Sequence, residues 1–303
     1  MITVSGLTKQ YGSHVAVDDL TFEVAASRVT GFIGPNGAGK STTMRMMVGL
    51  TRPDRGEVRC SGVPYRDLKS PARTVGSVLD ARCMHPGRTA RNHLRATAAL
   101  SRIPGSRVEA VLAEVGLETA ADQRAGTFSL GMRQRLALAG ALLGDPEILL
   151  LDEPSNGLDP AGIRWLRDHH SAFAARGGTV FVSSHLISEL SMFAHDLVVI
   201  GGGKLLAAEP VVAITARNAV AVVIETPDAV RLLDLLAERG LAADAVAGRV
   251  VVRGTSRAAV SQVAYDSGIH VVGLTETSRS LEDSLLDMTR SSAEFASAPS
   301  ATR

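Results

Sequence analysis

Cysteine is almost missing from this 303-residue chain. Cys60 and Cys83 have neither metal-ligand spacing nor the number that a disulfide framework needs, which excludes a stapled secreted scaffold and suits a reducing compartment. An excess of one charge is missing too: 32 basic and 31 acidic residues leave +1, so no nucleic-acid partner is expected. No apolar run approaches the ~20 residues of a membrane span. Runs such as 136–143 and 148–151 fall far short, so direct membrane insertion is not expected. Met1 opens onto the strand-like Ile2-Thr3-Val4 rather than the basic and apolar regions of a signal peptide, so a cytoplasmic location is expected. Any membrane role then runs through another polypeptide. Lysine is limited to Lys9, Lys40, Lys69 and Lys204, and aromatic residues make up 4%, so each one inside a motif carries weight. The 45% apolar content is ample for a core, and the length suits two domains.

What is present centres on Gly34-Pro35-Asn36-Gly37-Ala38-Gly39-Lys40-Ser41-Thr42, which fits the pattern Gly-x-x-x-x-Gly-Lys-Ser/Thr. Residues 28–33 read as a buried strand before it and 41–48 as a helix after it, the context that the pattern requires. Glycines let backbone N–H groups turn onto phosphate oxygens, and the helix presents its partly positive end to the same anion. Lys40 is placed to reach the β- and γ-phosphates of a nucleotide, and Ser41 to hold Mg²⁺.

Upstream, Val4, Leu7, Val15, Val17, Leu20, Phe22 and Val24 alternate with polar residues as β-strands do. Tyr11 among them is either an ordinary surface or core tyrosine or a platform for the base. Downstream, 57–60 and 74–80 read as strands, the second ending on Asp80. An Ala-, Arg- and Leu-rich stretch around 89–117 points to a helical insert of about 85–145, either a solvated helix pair or a docking surface. Ser129 is a natural cap for the helix that follows it. The run Ile148-Leu149-Leu150-Leu151 marks a strand covered on both faces, and it leads into Asp152 and Glu153. In a nucleotide site the first carboxylate holds Mg²⁺ while the second orients and deprotonates the attacking water. A further strand, 179–184, ends on His185, within reach of a γ-phosphate. The other seven histidines, His14 and His170 among them, read as structural or surface residues.

In this order the motifs resemble those of the ATP-binding subunit of an ABC transporter, over residues 1–213. The resemblance implies a P-loop α/β core, with a mixed sheet, a β-subdomain and a helical subdomain. It makes 34–42 the Walker A loop, Tyr11 the adenine-stacking residue, Asp152 and Glu153 the Walker B aspartate and catalytic glutamate, Asn156-Gly157-Leu158-Asp159 the D-loop, and His185 the switch histidine. Two motifs depart from the family pattern. Asp80 stands where a glutamine is usual, and the signature, usually Leu-Ser-Gly-Gly-Gln, is Phe128-Ser129-Leu130-Gly131-Met132, which keeps Ser129 and Gly131. The resemblance further implies ATP and Mg²⁺ as cofactors, with Asp80 near the metal or its water. It implies a homodimer or a pair with another ATPase subunit, in which Ser129 and Gly131 close over the partner's nucleotide. It also implies a separate multi-span permease at the cytoplasmic face of the cell membrane, of the drug or antibiotic export type. A soluble ABC-type ATPase acting on ribosomes or DNA is the alternative.

Past Pro210 the strand and helix pattern restarts, with strands at 220–225, 250–252 and 269–274 and helices at 226–240, 256–267 and 280–288. This reads as a small α+β accessory domain over 214–290, for which regulation, dimer contact and permease docking all remain open. The Ser- and Ala-rich 291–303 reads as a disordered tail.

Overall fold

The structure, a computed structural model, describes residues 1–80, 84–185, 187–217, 221–246 and 248–277. The chain opens on β1 (Ile2–Tyr11), β2 (His14–Val24) and β3 (Val29–Ile33), then α1 (Lys40–Met47), β4 (Arg55–Cys60), α2 (Pro71–Thr74) and β5 (Val75–Val78). Three helices follow, α3 (Ala90–Leu100), α4 (Ser106–Glu114) and α5 (Leu130–Leu142). The chain then alternates through β6 (Ile148–Leu151), α6 (Pro160–Ala175), β7 (Thr179–Ser184), α7 (Ile187–Ser191), β8 (Asp196–Gly201) and β9 (Lys204–Pro210). Last come α8 (Val211–Arg217), β10 (Ala221–Glu225), α9 (Ala229–Glu238), β11 (Ala243–Val246), β12 (Arg249–Arg253), α10 (Arg257–Asp266) and β13 (Gly273–Thr277). By its internal contacts the chain divides between Val211 and Val212.

In the first unit, six strands form one sheet in the order β5-β6-β7-β3-β8-β9, parallel except for the edge strand β9. A central parallel strand must be apolar on both faces, and β3, β6 and β7 are buried at every position. A smaller antiparallel sheet, β2-β1-β4, shares their core. Phe22, Phe32 and Phe181 come from β2, β3 and β7, with ring centroids 4.9 Å apart for Phe32 and Phe181 and 5.9 Å from Phe22 to each. Each such ring contributes about 2–3 kcal/mol through burial. The rigid sheet that results holds the loops at its strand ends in fixed register.

Val15, expected on the buried side, is exposed. The β1–β2 register shifts between Lys9 and Gln10, and a slip of one residue turns a side chain to the opposite face. The strand that runs into Asp152 and Glu153 ends at Leu151, so both carboxylates lie on the turn beyond it. Among the described residues no helix is long and apolar enough to cross a membrane.

The second unit folds β-α-β-β-α-β into an antiparallel sheet ordered β11-β12-β10-β13, the split βαβ arrangement. Val222, Ile224, Val250 and Val252 pack with Leu232, Leu236, Val260 and Val263 in one core. The strand expected at 269–274 starts only at Gly273, and the short β11 had no expectation. Thr226, expected as a helix cap, instead makes a turn: its hydroxyl accepts from the Asp228 N–H at 3.1 Å and donates to the His270 carbonyl at 2.7 Å. The helix expected at 280–288, the tail at 291–303 and Cys83 lie outside the described residues.

His170, on the inner face of α6, is fully buried, and neither ring nitrogen has a hydrogen-bond partner among the described residues. Burial, with a smaller effect from His169, pushes its pKa down to about 3. Below about pH 6.5 only the unfolded chain protonates this ring, so stability is lost as pH falls from about 6.5 toward 3. The wild type should therefore lose about 2 kcal/mol more stability than His170→Leu between pH 7 and pH 5, a difference readable from urea denaturation at the two pH values.

Candidate active site

Three loops leave the C-terminal ends of the adjacent parallel strands β6, β7 and β3. Ile33 lies level with Ser184, and Leu151 with Val182, so Gly34, Glu153 and His185 all emerge at one edge of the sheet. Ligands of open α/β sheets gather at this edge. After β3 the backbone turns through 34–39 and enters α1 at Lys40. A Cβ on Gly39 would lie 2.4 Å from the Ala16 carbonyl oxygen, and φ there is +102°. Only glycine fits both the approach and the conformation. Thr43 fastens the first turn by donating its hydroxyl to the Gly39 carbonyl at 2.9 Å.

Lys40 is 6% exposed, and a cation so far from water needs partners. Its Nζ donates to the carbonyl of Gly34 at 2.6 Å and lies 3.4 Å from Glu153 Oε1. The other carboxylate oxygen, Oε2, is 2.7 Å from His185 Nδ1. Glu153 is thus held between a lysine and a histidine. Its backbone sits at φ +48°, the left-handed region, which costs about 1 kcal/mol for a residue with a Cβ. The Ser183 hydroxyl fixes it there, accepting from the Glu153 N–H at 2.9 Å and donating to Asp152 Oδ1 at 2.6 Å.

These groups open onto a cavity of about 430 Å³. Tyr11, Pro35, Asn36, Gly37, Gly39, Lys40, Ser41, Thr42, Glu153 and His185, all singled out from the sequence, line it. So does Asn156 of the 156–159 motif, and with it His14 and Ala16. His14 was expected only as a structural or surface residue; it faces the cavity because it pairs with Tyr11 across the β1–β2 turn. Tyr11 is half exposed at the rim, with Lys9 Nζ 5.4 Å from its ring centroid.

Other expected site residues stand outside this lining. Asp152 lies behind it, on the Ser183 hydroxyl. Asp80 lines a separate cavity of about 280 Å³ with His93 and Leu136. Ser129 caps α5, accepting from the Met132 N–H at 3.2 Å, and Asp159 caps α6, accepting from the Gly162 N–H at 2.7 Å. Gly131 follows Ser129 in the first turn of α5. Ser183 was not singled out from the sequence; it is one of three hydroxyl residues of β7, with Thr179 and Ser184.

Chemically, the cavity combines the N–H groups of a helix first turn, a buried ammonium and the carboxylate paired with it. It suits an anion of phosphate charge, with a base beside it. The sequence profile of a family described as ABC transporter matches residues 17–156, and one described only as a domain of unknown function matches residues 220–282. A bacitracin transport ATP-binding protein of Bacillus licheniformis is 40% identical over 221 residues, 72% of this chain and 72% of that protein. A lantibiotic transport ATP-binding protein of Streptococcus pyogenes is 34% identical over 208 residues, 68% of this chain and 89% of that protein. A solved ATP-binding subunit of an ABC transporter aligns with a TM-score of 0.65 at 26% identity, covering 72% of this chain and 92% of its own. On this likeness the chain belongs to the ABC transporter family, as one of its ATP-hydrolysing, ATP-binding subunits.

Proposed function

We propose that the chain binds MgATP in the 34–42 cavity and uses its hydrolysis to drive a separately encoded, multi-span permease that exports an antibiotic or another hydrophobic compound. The observation that carries this is the Glu153 carboxylate fixed between Lys40 and His185 at the mouth of the cavity. Relatives that share about 70% of the chain are named for the transport of bacitracin and of a lantibiotic, which supports the export reading.

In this reading Lys40 takes the β- and γ-phosphate oxygens, and the first-turn N–H groups of α1 carry the remaining charge. Tyr11 at the rim packs on the base. Ser41 and Asp152 offer hard oxygen donors, which suit Mg²⁺. Among the described residues no group of three or more His, Cys, Asp or Glu could hold a metal alone, and Mg²⁺ characteristically takes one or two protein ligands with substrate phosphates and water. When bound it neutralises charge across the β- and γ-phosphates. Glu153 accepts the proton of the attacking water, and His185 orients it and contacts the terminal phosphate. Asp80, in its own cavity, is assigned to coupling with the permease.

Two such subunits, identical or paired with a second ATPase chain, meet head to tail at the cytoplasmic face of the membrane. Each lays the Ser129–Gly131 helix end over the nucleotide of the other. Loss of the γ-phosphate removes the charge that links them. Copurification tests the whole reading: recovery from membranes with a multi-span protein supports it, and recovery with ribosomes or DNA favours the soluble alternative.

Glu153→Gln should keep ATP affinity while phosphate release falls by about 100-fold or more, the worth of a general base. Normal phosphate release would remove Glu153 from that role. Lys40→Ala should weaken binding of a fluorescent ATP analogue by at least about tenfold, the loss of one charge-assisted contact. For Gly39→Ala, where a Cβ meets the Ala16 carbonyl, ATP should no longer raise the melting temperature.

A further inference from the structure

One contact in the first unit ties the turn beside the nucleotide cavity to the start of α5. Leu130, the first residue of α5, stands where the family signature usually has glycine. It is 44% exposed, yet its side chain has a seat. A Cβ built on Gly157 would lie 2.0 Å from Leu130 Cδ2 and 3.2 Å from its Cγ, so the leucine fills the space that a side chain at 157 would need. Beside it, a Cβ on Gly131 would touch Leu158 Cδ2 at 3.4 Å. About one and a half turns along α5, the Arg135 guanidinium lies 4.2 Å from the ring centroid of Trp165 on α6, and its Nη1 donates to the Val115 carbonyl at 2.9 Å. The α5 helix is therefore packed on the 154–158 turn through Leu130 and on α6 through Arg135.

The two ends of this assembly face different places. Asn156 lines the Lys40 cavity, and its N–H donates to the Glu153 carbonyl at 3.2 Å. Ser129 and Leu130, at the other end, are exposed.

We propose that Leu130 is a positioning residue. Seated on Gly157, it makes the 154–158 turn and the start of α5 move as one body. Occupation of one subunit's Lys40 cavity then sets where that subunit's helix end stands over the nucleotide of its partner. This rests on the paired ATPase reading above, and it makes the two ATP sites cooperative through each chain rather than only across the interface. A glycine at 130 would leave the seat empty and let the turn and the helix move separately.

The test uses the full chain and its single tryptophan, Trp165, as a reporter. Phosphate release is measured against ATP concentration, and Trp165 emission is followed on addition of ATP. The wild type should show a Hill coefficient approaching 2, the number of coupled sites, and an ATP-dependent change in emission. Leu130→Gly should bring the Hill coefficient to about 1 and at least halve the emission change. Leu130→Ala, which keeps a good helix former at the start of α5, should lose cooperativity in the same way. Gly157→Ala displaces the leucine and, with φ at +73°, also strains the turn, so it should lose at least as much as Leu130→Gly. The double variant should be no worse than the more affected single, because both break one contact. Cooperativity and emission change retained in Leu130→Gly, or losses that add in the double variant, would overturn the proposal. So would a wild type that hydrolyses ATP with a Hill coefficient of 1, which leaves the ATPase reading intact. A wild type that binds no ATP overturns both.

Discussion

Lys40 and Glu153 form an ion pair that constrains the rest of the first unit. An ammonium 6% exposed is tolerable only with several acceptors around it, and they come from two strand ends: the Gly34 carbonyl after β3 and the Glu153 carboxylate after β6. Those strands are not neighbours. β7 lies between them, and it supplies both Ser183 beneath the pair and His185 beside it. The strand order β6-β7-β3 is therefore the arrangement that lets three loops share one charge cluster. The apolar faces and the stacked phenylalanines keep those strand ends level.

The same pair explains how the cavity could answer an incoming phosphate on the proposed reading. Lys40 is already satisfied, so an anion must offer it more than Glu153 does. Once Lys40 turns to a phosphate, the carboxylate keeps His185 as its partner and loses its cation. The Ser183 bond to the Glu153 backbone stops the carboxylate from following the lysine away. The left-handed backbone at Glu153 is part of the same device, because it turns the side chain off the strand axis and into the cavity.

Much of this was legible in the sequence because its signals are local. The 34–42 loop, the acidic pair after four apolar residues and His185 after a buried strand each announce themselves within about ten residues. Their meeting follows from the rule that parallel strands share one C-terminal edge. The ABC-type α/β core was legible for the same reason. Ser183 and His14 were not, since their importance depends on register between segments far apart in sequence. Val15 illustrates the limit: its alternation is correct for a regular strand, and one slip beside Gln10 undoes it. The second unit was harder still. Ala243-Asp244-Ala245-Val246 has little strand propensity and pairs because β12 offers it an edge, whereas Ile269 is apolar because it is buried in the core rather than because it lies in a strand.

Two caps outside the cavity differ in what they can still do for a partner's nucleotide. Ser129 Oγ spends a lone pair on the Met132 N–H, which leaves its hydroxyl proton free to be given to a phosphate oxygen. Capping and phosphate contact are therefore compatible at α5. Asp159 Oδ1 accepts from the Gly162 N–H in the same geometry, but a carboxylate has no proton to give and carries the charge of the phosphate it would approach. Its value lies in ending the 154–158 turn where α6 begins, and so in fixing Gly157 beneath Leu130. The variant signature loses a glycine's freedom at 130, and it gains a hydrophobic contact that makes the position of the Ser129 hydroxyl depend on the turn beside Glu153.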